Sequence, residues 1–198
     1  MKKRYLLIFL LIILIFLSVN VMASNKLITV PTADLEGAAH IYGEIFSSKR
    51  QVEMTYNVNP QIEFGVIISS DKNRDAKVGL IAKTVLIAET EETPAFGVGI
   101  RMNDLYLVTS KNLAMGIKGH LGIGNGNLSG LFIAFNTVLN PVTVSQSNRP
   151  ALPPISLMGE YANEKINIGV SMRLQEDMKF GLALLDMKTM KFGLGYSF

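Results

Sequence analysis

Short segments in which apolar residues alternate with small or polar residues recur along most of the chain. Alternation with a period of two is typical of β-strands whose two faces meet different surroundings. Short polar breaks separate the segments, and no helical pattern of about 10–15 residues lies between them, which favours a barrel over an α/β fold. The segments are 39–47, 50–58, 61–69, 76–87, 94–102, 105–110, 113–122, 129–139, 154–162, 165–174, 177–185 and 189–198.

The two faces of these segments differ in composition. In 165–174, Ile166, Ile168 and Val170 share an apolar face, whereas Ser171 belongs to the opposite face. Soluble barrels are apolar inside, but a barrel in lipid needs an apolar outer surface and pairs every backbone group by closing. The sequence therefore predicts an all-β, up-and-down antiparallel transmembrane β-barrel of about twelve strands, with ten strands as the alternative. The faces of 39–47 and 105–110 are ambiguous.

The last segment, 189–198, alternates most strictly. An exposed apolar strand of this kind promotes aggregation in a water-soluble protein, but it can close a membrane barrel. It resembles the C-terminal assembly signal of bacterial outer-membrane proteins, in which a polar residue, a glycine and two aromatics have fixed spacing. The resemblance implies recognition by periplasmic chaperones and the barrel assembly machinery. The matching residues are Lys191, Gly193, Tyr196 and Phe198.

The first 23 residues have the composition of a secretory signal peptide. A basic start is followed by an apolar run at 5–17, which is shorter than the roughly 20 residues of a membrane-spanning helix. Val21 and Ala23 are small residues at the positions that signal peptidase reads, so cleavage is predicted after Ala23. We expect residues 1–23 to be a signal peptide, 24–38 a periplasmic segment and 39–198 the outer-membrane barrel.

The charge balance bears on whether the protein binds nucleic acid, and the cysteine content bears on what holds the fold together. The chain has 19 basic and 16 acidic residues, and three of the basic residues lie in the predicted signal peptide, so the remainder is balanced at 16 of each. This balance gives no reason to expect a nucleic-acid partner. The chain has no cysteine, so packing and hydrogen bonding must hold the exported protein.

One connection is much longer than the others and contains four of the seven prolines. It joins the eighth segment to the ninth at about 140–154. Proline removes donors from a strand ladder, so this segment is predicted to be a loop. Counting strands from a periplasmic N-terminus places the loop on the periplasmic side, although outer-membrane barrels usually carry their long loops outside.

Several short pieces, in this order along the chain, resemble the YjbH-like family of outer-membrane barrel proteins, which is associated with exopolysaccharide gene clusters. The resemblance implies an outer-membrane barrel linked to the cell envelope and names no functional residues. A polysaccharide and a periplasmic protein are therefore candidate partners, besides the lipid of the outer membrane. The pieces are 27–34, with the opening Ile28-Thr29-Val30-Pro31-Thr32-Ala33, and then 107–111, 159–161 and 184–186.

Catalytic, metal and cofactor sites have weak support. A barrel esterase would pair a serine with His40 or His120, but His120 shares the polar face with Lys118 and is better explained as a lumen-lining residue. Two histidines without cysteine do not make a metal cluster. The glycines of 122–126 precede no helix, so a phosphate loop is not expected. No catalytic residue, metal site or cofactor is predicted, and the protein is not expected to be an enzyme.

Charged residues on the small, polar face allow two readings of the lumen. They either line a narrow channel or pair with one another and close the barrel, since charges in low dielectric need partners. The second reading predicts a structural, exopolysaccharide-associated envelope component with a mostly closed lumen, and the alternative is a small passive porin-like channel. The residues are Glu53, Glu63, Lys83, Arg101, Lys118, Glu160, Arg173, Lys179 and Lys191.

Overall fold

The structure, a computed structural model, describes residues 26–35, 38–72, 74–113, 116–140 and 153–198. The predicted signal peptide and residues 141–152 of the proline-rich connection lie outside these ranges. Within the described residues, twelve antiparallel strands follow one another in chain order, and β12 pairs with β1 to close a barrel. The strands are β1 (Ala39–Phe46), β2 (Lys49–Asn59), β3 (Ile62–Asp71), β4 (Arg74–Ile87), β5 (Ala95–Arg101), β6 (Asp104–Asn112), β7 (Ile117–Gly124), β8 (Gly130–Val138), β9 (Ile155–Ala162), β10 (Lys165–Arg173), β11 (Met178–Leu185) and β12 (Thr189–Ser197).

The predicted up-and-down barrel of twelve strands is confirmed, because each predicted segment corresponds to one strand. The largest boundary error is at β7, which begins at Ile117 and not at residue 113. Leu113 and Gly116 belong to the connection from β6, where the Leu113 N–H donates to the Ile117 carbonyl at 2.7 Å. Gly116 has a φ of +71°, a left-handed conformation that interrupts a strand.

The apolar face of the strands points outward, as predicted. Ile168 is 44% exposed, whereas Ser171 on the other face is 4% exposed. The ambiguous strand β6 follows the same rule, with Leu105 and Leu107 outward and Tyr106 buried inside the barrel. A closed barrel with so much exposed apolar surface is built to face lipid. Among the described residues, no helix is long and apolar enough to cross a membrane.

An arginine on this outer face is expected to destabilise the barrel according to its depth. Ile168 lies in the middle of β10, so we expect Ile168→Arg to cost about 2–4 kcal/mol in lipid. Leu105 is also exposed but lies one residue from the end of β6, so Leu105→Arg should cost about 0–1 kcal/mol. Urea unfolding of both variants in lipid vesicles measures the difference. Equal costs would contradict the lipid-facing assignment.

The two ends of the barrel differ in their connections. The near end, where β1 begins and β12 ends, carries the connections 88–94 and 139–154, whereas every connection at the far end has two to five residues. The long connection therefore starts and ends at the end of the barrel where β1 begins, and its position on the periplasmic side stays a prediction. Its base is fixed by Asn140, whose side-chain amide donates to the Pro153 carbonyl and accepts from the Ile155 N–H.

Residues 26–34 lie inside the barrel, and we call them the plug. The sequence predicts an N-terminal periplasmic segment at 24–38, and residues 26–34 of that segment lie in the lumen. Ile28, Val30 and Ala33 are only 0–2% exposed, because they pack against apolar side chains that point into the lumen. Packing these side chains against the barrel wall removes them from water, which explains why the plug lies inside the barrel.

Candidate functional site: the barrel lumen and its plug

The plug is a tight turn that enters the lumen from the near end. Lys26 forms a bridge with Pro31, and the Leu27 N–H donates to the Val30 carbonyl at 3.1 Å. The apex of the turn, around Thr29, contacts Glu160, which lies two residues from the far end of β9. Asp34 lies back at the near end, beside the start of β7. The turn therefore spans most of the length of the lumen.

Apolar side chains hold one side of the plug. Val30 and Ala33 belong to a buried cluster with Val108 and Phe132, which are 1% and 0% exposed. Ile28 packs in a second cluster against Met158 of β9. The sequence analysis places small and charged residues on the inner face, and these larger inward side chains were missed there. They form an apolar wall that the plug completes.

A single carboxylate binds the apex of the plug. Glu160 accepts hydrogen bonds from the backbone N–H groups of Ile28, Thr29 and Val30 at 3.0–3.2 Å, and also from the Thr29 hydroxyl. The Asn167 side chain donates to the same carboxylate at 2.7 Å. These donors would otherwise be buried without partners, which costs about 1–3 kcal/mol for each group.

Ion pairs join the plug to the opposite wall. Lys26 lies 2.9 Å from the Glu44 carboxylate and 2.8 Å from Glu53, and Arg101 forms a bidentate pair with Glu53. Lys191 pairs with Glu44 at 2.7 Å and also donates to the Ile28 carbonyl. Charges of both signs are thus neutralised in the lumen, and in this group of ion pairs the plug supplies the positive charge of Lys26. Buried pairs of this kind make removal of one partner costly.

A second group of contacts clamps the near end of the plug. The Lys118 ammonium lies 2.7 Å from Asp34 and 3.1 Å from Glu89. Burial by itself raises the pKa of Glu89, but the Asn112 N–H and the Lys118 ammonium donate to the carboxylate, and the pKa lies below its ordinary value. Glu89 therefore stays ionised at neutral pH, and its contribution to the clamp is lost only as the pH falls below the usual glutamate range.

The structure distinguishes the two readings of the lumen charges in part. Glu53 and Arg101 pair with each other, as the closed-lumen reading predicts, while Lys83, Lys118, Glu160 and Lys191 are bound to the plug.

The plug leaves two recesses open beside it. One, with an open volume of about 570 Å³ that is partly bulk solvent, is lined by Tyr42, Thr55 and Lys179 among others. The second, with an open volume of about 440 Å³ that is also partly bulk solvent, is lined by Asn136 and Ser171 among others.

Solved structures with the same fold are known. The KdgM porin in complex with disordered oligogalacturonate matches with a TM-score of 0.54 and 13% identity, over 81% of this chain and 98% of that chain. A second structure of the KdgM porin matches with a TM-score of 0.52 and 12% identity, again over 81% of this chain and 98% of that chain. The barrel has the fold of this porin. The Acinetobacter baumannii outer membrane protein Omp33 matches at 10% identity with a TM-score of 0.47, over 82% of this chain and 98% of that chain.

No protein-family model matches the chain, and the search of curated proteins finds no relative either. At 12–13% identity the likeness to the KdgM porin concerns the fold alone. The expected resemblance to the YjbH-like family therefore stays a hypothesis. Two of its four pieces nevertheless contact a third, because the plug residue Ala33 contacts Ser110 and the plug apex contacts Glu160.

Two serine–histidine pairs, which the enzymatic hypothesis requires, lie among the residues that the structure describes. Ser110 and the His120 Nδ1 are 2.7 Å apart, and the His120 Nε2 lies 3.0 Å from the Asn136 side-chain oxygen. Ser110 is only 1% exposed, and its hydroxyl accepts the Ala33 N–H at 2.8 Å. With the plug in place, a substrate cannot reach this hydroxyl. His120 lines the lumen, as predicted.

The second pair, His40 and Ser197, lies at the near end with 3.0 Å between Nδ1 and the hydroxyl. Within the described part of the chain, no group of three or more histidine and carboxylate side chains could hold a metal ion.

The four residues of the predicted assembly signal divide between the two faces of β12. Tyr196 and Phe198 contact each other with ring centroids 4.8 Å apart, and the Phe198 N–H donates to the Ala39 carbonyl of β1 at 2.9 Å. Lys191 and Gly193 face the lumen, where Lys191 binds Glu44. The role of these residues in assembly stays a prediction.

Proposed function

We propose that the protein is a small outer-membrane channel of the porin type whose lumen is closed by the plug. The observation that carries this proposal is that the strands close the barrel wall by themselves, without the plug. The β1–β12 ladder closes the wall without any plug residue, and the plug contacts the wall through hydrogen bonds, ion pairs and apolar packing. A segment held in this way can leave the lumen without opening the barrel.

The likeness to the KdgM porin supports a channel for polar solutes, because one of those structures is described as a complex with an oligogalacturonate. The lining of the two recesses beside the plug, with lysine, amide and hydroxyl groups, is chemically suited to a hydrated or saccharide-like solute. We propose that the near end faces the periplasm, that cleavage after Ala23 precedes assembly, and that the protein is not an enzyme.

A second candidate is the structural envelope component associated with exopolysaccharide. The number of contacts on the plug apex favours it, since a permanently closed lumen would need such anchoring. The YjbH-like pieces that contact the plug support the same reading. The two candidates differ in one measurable property, which is whether the lumen ever conducts ions.

A disulfide that locks the plug provides the test. A Cβ added at Gly97 of β5 would lie 3.5 Å from the Ala33 Cβ, within the range found in disulfides. The chain has no cysteine of its own, so Ala33→Cys with Gly97→Cys creates the only pair. We expect ion conductance in planar bilayers when the pair is reduced and loss of that conductance when it is oxidised.

The wild-type protein under the same oxidant and reductant is the control, and its conductance should not change. Conductance that is equal in the oxidised and reduced variant would show that ions do not pass where the plug lies. Absence of conductance in both states, together with a folded barrel on heat-modifiability gels, would favour the closed structural component over the channel.

A further inference from the structure

A basic recess lies outside the lumen at the far end of the barrel. It is formed by the β1–β2 turn, the start of β2 and the end of β3, and its open volume is about 840 Å³, part of which is bulk solvent. Arg50 and Lys72 bring cations to it, and Ser47 and Ser70 bring hydroxyl groups. Cations and hydroxyl donors in one open recess are the groups that bind phosphate oxygens.

The position of the recess relative to the apolar surface suggests the kind of ligand. Arg50 pairs in register with Ile45 of β1, which is 55% exposed, and the next residue of β2 on the same face is Val52, 43% exposed. The arginine is therefore the first charged residue beyond the lipid-facing surface. A charged side chain at this level lies where the headgroups begin.

The surroundings of the recess are positive as a whole. Arg74 and Lys77 follow on the neighbouring strand β4, and both are exposed. Asp71 itself lines the recess, where its carboxylate already accepts the Ser48 hydroxyl and the Lys72 N–H at 2.7 Å each, and Asp75 follows on β4. Within the described residues, Arg50 and Lys72 form no ion pair with a protein carboxylate within 4 Å.

We propose that the basic recess binds the phosphate of a lipid headgroup in the leaflet at the far end. With the near end toward the periplasm, this is the outer leaflet, where the lipid is a phosphorylated glycolipid. Arg50 and Lys72 bind the phosphate oxygens, the serine hydroxyls donate to them, and Ile45 contacts the start of an acyl chain. The plug takes no part, so the site is independent of conductance.

Native mass spectrometry of the folded, detergent-solubilised full chain tests this proposal with bisphosphorylated lipid A as the probe. We expect the double variant Arg50→Gln with Lys72→Gln to bind about tenfold more weakly than the wild type. The matched control is Lys165→Gln with Lys188→Gln, two exposed far-end lysines outside the recess, and it should bind as the wild type does. Asp71→Asn keeps an oxygen acceptor for the turn but removes a negative charge, so it should bind more tightly.

Lipid A without its phosphates should bind at least about tenfold more weakly to the wild type, and higher salt should weaken binding of the phosphorylated form. Equal binding by the double variant, or equal binding of the phosphate-free lipid, would overturn the proposal. If inorganic phosphate occupied the recess and lipid A did not, a lipid headgroup would be excluded as the ligand.

Discussion

Replacing Glu160 with alanine is expected to open the barrel to ions. The carboxylate binds three consecutive backbone N–H groups of the plug and the Thr29 hydroxyl, so its removal leaves several buried donors without an acceptor. If the loss amounts to about 3 kcal/mol, the ratio of unplugged to plugged barrels rises by roughly a hundredfold. The open probability of single channels in planar bilayers should rise accordingly.

The control for this variant is Glu92→Ala, which removes an exposed carboxylate from the β4–β5 connection and leaves the clamp residue Glu89 in place. It should leave the conductance unchanged. When Glu160→Ala is combined with Ala33→Cys and Gly97→Cys, conductance should appear only after the disulfide between the two cysteines is reduced. A folded Glu160→Ala barrel with the same open probability as the wild type would show that the plug apex is not what closes the lumen.

The wall of the barrel was predictable because membrane strands obey a simple rule. Lipid on one side and a small or polar lumen on the other impose a period of two, and no packing detail is needed to read it. The pattern therefore located all twelve strands and the outward face of Ile168. It failed where backbone conformation changed, at Gly116, since a positive φ leaves no mark on hydrophobic alternation.

The plug could not be found in the same way. Residues 26–34 contain no alternating pattern, and their place in the lumen depends on contacts with strands more than 70 residues away, such as Ser110 and Glu160. One signal was present but unused. Val108 and Phe132 are bulky apolar residues on the inner face, and an apolar patch in a lumen requires something apolar to cover it.

Substitution of Gly193 by alanine is expected to destabilise the seam between β12 and β1. The Tyr42 ring lies across this glycine, and an added Cβ would come within 2.1 Å of the Tyr42 Oη and 2.7 Å of Cζ. The ring must move, which costs about 1–3 kcal/mol in a packed interior. Gly43→Ala is the matched control, because the nearest atom to its Cβ would be the Leu194 carbonyl oxygen at 4.0 Å.

Gly193 also matches the predicted assembly signal, so a packing role and a signalling role must be separated. Refolding purified protein into lipid vesicles removes the assembly machinery, and urea unfolding then reports packing alone. The double variant with Tyr42→Ala decides the matter, since the alanine at 193 should cost almost nothing once the ring is absent. If the cost persisted without the ring, or appeared only in cells, the glycine would act through the assembly signal and not through Tyr42.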